Sequence, residues 1–389
     1  MAERAAGSPA ASQRDWLEVR RYLQEHRYDL TARAAAGHPA AARVAGTPLL
    51  AAPGWLPPAP VPLQDIRLDW RPPDGAPAAA AGKPEWPEWT EWAEWPTPLL
   101  PARADGTRYA RYSDAVRDLA PPAVFDNRVT YRLVAAALAG PAPRLQFTRG
   151  RYFDGIDTGE AAAHEYAAAR LGRLPAGQTL TVRALAGDPC DVSRRPANLA
   201  ISTLTLRLDR AAGRASFLLH WRDPATVGHA GGLYQVIPVG VFQPSSDGAR
   251  SESRDFSLWR CMVREFAEEL RGHPEDGPAG YDSWPFARTL TGALDRGQVR
   301  VWCLGLGADP LSYATDLLTV AVVDAEVFDD VLGGGPPHFA EGRVLAPRKF
   351  TAGVIEHVVT REPVQAAAAA VLRLAWRHRA CLGLSGNRG

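Results

Sequence analysis

The sequence predicts an α/β fold built on a mixed sheet, and three observations predict it. Residues 199–223 alternate apolar and polar positions as two strands joined by a turn at Ala211-Ala212-Gly213-Arg214. Residues 298–307 (QVRVWCLGLG) and 316–324 (DLLTVAVVD) are apolar runs of strand length. In DFSLWRCMVREFAEELRG (255–272), Leu258, Met262, Phe266 and Leu270 recur every fourth residue, as on one face of a helix. A further strand, GGLYQVIPVGVF (231–242), follows a turn at Val227-Gly228-His229-Ala230.

The remaining segments are read in chain order. Residues 1–13 are small and polar, as in a disordered tail. Residues 14–45 are a helical segment, with Asp15 as its N-cap and Trp16, Val19, Tyr22 and Leu23 as its apolar stripe. Arg20, Arg21, Arg27 and Arg33 read as a solvated basic face. Residues 46–101 are a Pro/Trp-rich linker in which PGWLPPAPVPL is extended, because proline bars helix and central strand alike. Within it, Trp86, Trp89, Trp92 and Trp95 repeat every third residue, either as a recognition strip or as low-complexity linker. Residues 102–150 read as a helical accessory region, with 108–137 as its helix. Residues 157–173 form another helix, in which His164 is a packing or hydrogen-bonding residue. Residues 361–389 are an Ala-rich helix on the domain surface, followed by a tail.

Composition narrows the function classes. A chain of 389 residues with 46% hydrophobic and 22% charged residues can build a sizeable core. Its formal net charge of +1 supplies no global field for nucleic acid or an anionic membrane. The four cysteines, Cys190, Cys261, Cys303 and Cys381, are scattered without a CxxC pair, which argues against a zinc site or a disulfide framework. No signal-peptide core and no run of ~20 apolar residues is present, so a cytoplasmic protein without a membrane span is expected. Ser202 and Ser257 lack a nucleophile-elbow setting, and no P-loop or GxGxxG fingerprint opens a helix.

The chemistry concentrates on residues 255–272. Glu265 and Glu269 are one helical turn apart, and Glu268 lies between their faces. Three converging carboxylates repel one another, and a hard divalent cation relieves that repulsion with oxygen ligands. The stretch Arg264-Glu265-Phe266-Ala267-Glu268-Glu269 resembles the second half of the Nudix box, R-E-U-x-E-E-x-G, with Phe266 at the bulky position U. Pro238 and Gly240 resemble the Pro-Gly turn that leads into the Nudix helix, and the resemblance spans residues 197–330. Gly272 falls one residue later than the pattern's glycine, and Arg250 and Phe256 stand where the first half of the box has glycine and glutamate. Neither Glu252 nor Asp255 sits at the spacing of the missing acid.

What the resemblance implies is a Nudix-type α/β/α sandwich over residues 151–360. Glu265, Glu268 and Glu269 would be ligands for Mg²⁺ or Mn²⁺, and Arg264 would orient them. It implies hydrolysis of a nucleoside diphosphate linked to another moiety. The alternative is a non-catalytic nucleotide sensor that signals to a protein or DNA partner through the N-terminal region. Stretches such as RYSDAVRDLAPPAVFDNRVTYRL and GEAAAHEYAAA also resemble actinobacterial proteins, some carried behind DNA-binding domains as transcriptional regulators. His220, Asp223 and His229 would lie near the substrate cleft of such a fold.

Overall fold

Two long apolar strands organise the molecule, here a computed structural model that describes residues 8–71, 99–175, 177–223, 231–273, 280–334, 338–339 and 342–384. The strands are β1 Val61–Pro62, β2 Arg67–Trp70, β3 Val129–Ala137, β4 Arg144–Arg151, β5 Leu199–Asp209, β6 Arg214–Phe217 and β7 Leu219–Arg222. They continue as β8 Tyr234–Val236, β9 Val239–Val241, β10 Val299–Ala308, β11 Thr315–Asp324, β12 His338–Phe339, β13 Gly342–Val344 and β14 Arg348–Lys349. The helices are α1 Pro9–Ala36, α2 Tyr112–Leu119, α3 Tyr152–Gly155, α4 Ala161–Arg170, α5 Thr181–Ala186 and α6 Ala249–Arg254. They end with α7 Leu258–Arg271, α8 Pro285–Asp295, α9 Ala325–Val327, α10 Ala352–Arg361 and α11 Ala366–Arg377.

The main sheet runs β1-β10-β11-β5-β6-β14, with β9 also paired to β5. It is mixed: β11 is parallel to β5 in unbroken register from Thr315↔Leu199 to Asp324↔Leu208, and its other pairings are antiparallel. Both faces are covered, which is why β5 and β11 are buried almost throughout. On one face, α7 and α8 share a core with Ile201, Val301 and Leu317. On the other, α10 and α11 pack on Leu204, Val320 and Val322. The alanines Ala366–Ala370 are all buried, so α11 is a core helix pressed against the sheet and not the surface helix that was expected.

Several N-terminal expectations are corrected. Helix α1 starts earlier: Ser8, not Asp15, is its N-cap, and its hydroxyl accepts the Ala11 N–H. Residues 9–13 are therefore helical; residues 1–7 lie outside the described residues. Arg20 and Arg27 are buried on α1, not solvated. Arg20 donates to the Tyr112 hydroxyl at 3.2 Å, and Arg27 donates to Glu160 at 2.7 Å. Of the segment read as linker, residues 46–71 enter the core with Leu49, Leu50, Trp55 and Ile66, and β1 pairs with β10 at the sheet edge, where proline is tolerated. The tryptophan repeat 86–95 lies outside the described residues.

The segment 129–137 is a strand and not part of a helix. It pairs with β4 in a three-stranded sheet β2-β4-β3, whose Tyr131, Leu133 and Phe147 join the α7 core. The hairpin arm after β5 splits: β6 stays in the main sheet, while β7 joins a four-stranded sheet β12-β13-β7-β8. His164 does pack as expected, stacked on Trp16 with Nδ1 3.1 Å from the Tyr112 hydroxyl. All four cysteines are free, and Cys381 is exposed. Among the described residues no helix is long and apolar enough to cross a membrane.

Asp157 ties the start of α2 to the next segment. Its carboxylate accepts the Ser113 N–H at 2.7 Å and the Ser113 hydroxyl at 3.1 Å. Burial outweighs these bonds and pushes its pKa up from 3.8 to about 6. A carboxyl whose folded pKa is raised favours the folded state when protonated. The contribution is therefore complete below pH 3.8 and is lost as the pH rises to about 6. Wild type should lose up to about 3 kcal/mol relative to Asp157→Asn across that window, measured by denaturant unfolding at pH 4 and pH 7. Parallel curves for the two proteins would refute the assignment.

Candidate functional site

Helix α7 is fixed before its glutamates are placed. The Ser257 hydroxyl caps its start by accepting the Arg260 N–H at 3.3 Å. Leu258, Met262, Phe266 and Leu270 are all buried, each worth roughly 1.5–3 kcal/mol of apolar transfer. Gly272 ends the helix at φ 69°, with Gly272 N–H on the Glu268 carbonyl and His273 N–H on the Ala267 carbonyl. Gly272 is thus the left-handed cap of α7.

The helix divides its acids between two places. Glu265 and Glu268 line a cavity of about 230 Å³. Glu269 is buried, and its carboxylate accepts the Val239 N–H at 3.2 and 3.3 Å. His220 Nδ1 lies 3.5 Å from the same carboxylate. Burial, with help from the Arg222 charge, holds the His220 pKa well below 6.5, so the imidazole beside Glu269 is neutral. The three glutamates therefore do not meet as one ligand set. Among the described residues no group of three or more His, Cys, Asp or Glu is arranged to hold a metal ion.

Gly240 explains the position of Glu265. A Cβ built on Gly240 would sit 1.9 Å from the Glu265 carboxyl carbon and 2.2 Å from both its oxygens. Only a glycine on β9 lets that carboxylate lie flat against the strand. Arg264 Nη2 donates to the Gln243 carbonyl at 2.5 Å, and its Nη1 lies 3.9 Å from Asp255. It braces the loop after β9. Burial opposes ionisation of Asp255, yet hydrogen bonds from Arg254 and Ser245 and the Arg264 charge hold its pKa at about 2. Glu252 pairs with Arg149. Phe256, in the place of the box's first glutamate, packs its ring against Trp70, Tyr131, Phe147 and Phe242.

Other residues of the cavity carry no signal in the sequence. Asp316 borders the cavity from the start of β11, 2% exposed, and its Oδ1 accepts the Ser202 hydroxyl at 2.7 Å. Its strand partner Ala200 is small and faces the same cavity. Arg128, Arg195 and Arg222 bring positive charge to the wall. Arg195 is fully buried and spends its N–H groups on the Pro189 and Pro196 carbonyls and on Thr315 Oγ1. Burial lowers its pKa to about 10, which leaves it charged at neutral pH. The loop into β11 is tightly held: Asp309 Oδ1 accepts the Leu311 and Ser312 N–H groups, and Arg183 donates to the Pro310 and Leu311 carbonyls. Gly159 permits the approach of this loop, since a Cβ there would fall 2.1 Å from the Ser312 carbonyl oxygen. Of the histidines expected at the cleft, His220 is buried behind Glu269, and His229 lies outside the described residues.

No protein-family model matches the chain, and no curated protein does. Among solved structures the chain is similar to a NUDIX hydrolase from Alicyclobacillus acidocaldarius. The two are 18% identical over 49% of this chain and 96% of that one, with a TM-score of 0.29. A likeness that loose carries no argument about the site.

The donor set fits one kind of cation and not another. Mg²⁺ keeps several waters and is usually held by one or two carboxylates together with substrate phosphates. Glu265 and Glu268 on one cavity wall meet that requirement, whereas a self-sufficient cage of three glutamates is not formed.

Proposed function

We propose that this chain is a Mg²⁺- or Mn²⁺-dependent hydrolase acting on a nucleoside diphosphate linked to another moiety. The observation that carries the reading is the pair Glu265 and Glu268 on a cavity that also presents Arg128, Arg195 and Arg222. Carboxylates alone would repel a diphosphate, and arginines alone would bind it without activating water. In the proposed reaction a water oxygen bonds to phosphorus, a bridging P–O bond breaks, and the water's proton goes to a carboxylate of the wall. Glu265 and Glu268 would hold the cation, which when bound polarises a phosphoryl oxygen and lowers the pKa of water. Asp316, held by Ser202, adds a third carboxyl group to the same cavity. The fixed arginine charges would stabilise the phosphate oxygens as charge builds on them.

The test is turnover of ADP-ribose, nucleotide sugars and dinucleotides with Mg²⁺, read as phosphate after phosphatase treatment of the products. Glu268→Gln should lower turnover by about 100-fold or more. Equal turnover by wild type and variant would overturn the assignment of Glu268. Binding without turnover by wild type would leave a nucleotide-binding module, the sensor reading. The basic face of α1 gives that reading less support than the sequence promised, because Arg20 and Arg27 face the interior.

A further inference from the structure

Gln365 is a buried amide without an internal purpose. It is 8% exposed and stands at the N-cap of α11, yet its side chain makes no capping bond. Its Oε1 is buried with no partner among the described residues. Buried polar atoms are almost always paired, so such an exception calls for an explanation. Its backbone is well placed, with the Gln365 N–H on the Tyr234 carbonyl at 2.9 Å, and the side chain borders the cavity. Next along β8, Gln235 is 1% exposed and borders the same cavity. Its Oε1 accepts the Val236 N–H at 3.0 Å, which leaves its NH₂ as the group available to a ligand. Ser312, on the same wall, has already given its hydroxyl proton to Asp309.

We propose that Gln365 and Gln235 form a subsite for an uncharged ligand edge that carries a donor beside an acceptor, the hydrogen-bonding edge of a nucleobase. An amide presents the complementary acceptor and donor side by side, and glutamine pairs with base edges in this way. Glu265, Glu268 and Arg128 line the same cavity and would face the phosphates of such a ligand. This rests on the diphosphate reading above for the orientation of the ligand. The competing occupant is a single water. Gln365 also borders a hollow of about 20 Å³ shared with Arg27, whose Nε is likewise buried without a partner. That space holds one water, which would bridge the two groups.

The experiment is calorimetric titration of the full chain with ADP, UDP and inorganic pyrophosphate in Mg²⁺, for wild type and Gln365→Met, which keeps length and bulk. Both nucleotides should bind at least 10-fold more weakly to the variant, with pyrophosphate unchanged. Unchanged nucleotide affinity would mean that the amide holds only water, and equal weakening of all three probes would mean a structural role; either overturns the subsite. Should Gln365→Met fail to fold, Gln235→Met carries the same comparison. Wild type that binds nucleotides but hydrolyses nothing sinks the hydrolase and leaves the subsite standing. Wild type that binds pyrophosphate but neither nucleotide sinks the subsite alone, and binding of no probe sinks both.

Discussion

Adding one methyl group at Gly240 should lower turnover about 100-fold, the scale set by a displacement of about 1 Å in a reacting group. The methyl carbon would fall 1.9 Å from the Glu265 carboxyl carbon, far inside contact distance, so the carboxylate must leave the strand. Neither β9 nor α7 is free to yield instead. Strand β9 is paired to β5 through Ile201↔Gly240, and α7 is anchored by its buried stripe. The side chain therefore moves, and the proposed cation site is lost while the fold remains. Overpacking of this kind costs about 1–3 kcal/mol of stability, which a domain with this much buried sheet can absorb. A double-mutant cycle separates the two effects: Gly240→Ala added to Glu265→Ala should cause no further loss of turnover, because the group it displaces is already gone. Additive losses would show that Gly240 acts on something other than Glu265.

What the sequence revealed depended on how local each signal was. Strands β5, β10 and β11 and helix α7 were legible because apolar runs, alternation and the spacing Leu258, Met262, Phe266, Leu270 are properties of short windows. Strand β3 was misread because Val129, Leu133 and Val134 also suit a helix, and the decision comes from its pairing with β4 across a turn. The burial of Arg20 and Arg27 had a usable signal: both fall on the stripe that holds Trp16, Leu23, Leu30 and Ala34. Position on the stripe outweighs charge for these two residues. At the site, the sequence reading groups Glu265, Glu268 and Glu269 together; Glu265 and Glu268 line the cavity, and the bond from Val239 to Glu269 arises only where two distant elements meet. Gly240 beneath Glu265, Asp316 on the cavity and Gln365 at a helix start are likewise juxtapositions of distant segments. No window of the sequence contains them.

Removing the Arg27 side chain should produce the largest loss of stability, about 3–5 kcal/mol for Arg27→Ala. Arg27 and Glu160 meet at 2.7 Å with side chains only 5% and 3% exposed. Burial works against the Arg27 charge, and Glu160 outweighs it, raising the guanidinium's pKa. Deleting the arginine leaves a buried carboxylate with its main counter-charge gone, and that uncompensated charge is what costs stability. The pair itself is worth much less, because both ions were stripped of water to form it. The double substitution Arg27→Met with Glu160→Gln should therefore recover most of the loss in denaturant unfolding. If the double variant is as unstable as the single one, packing of the α1 stem against α4 is the source, and the ion pair is not. Glu160 also borders the cavity, so the same comparison reports on the site. Without the Arg27 charge beside it, the Glu160 carboxylate would repel a diphosphate, and nucleotide affinity should fall in Arg27→Ala and return in the double variant. The Arg27–Glu160 pair thus ties helix α1 to the wall of the cavity.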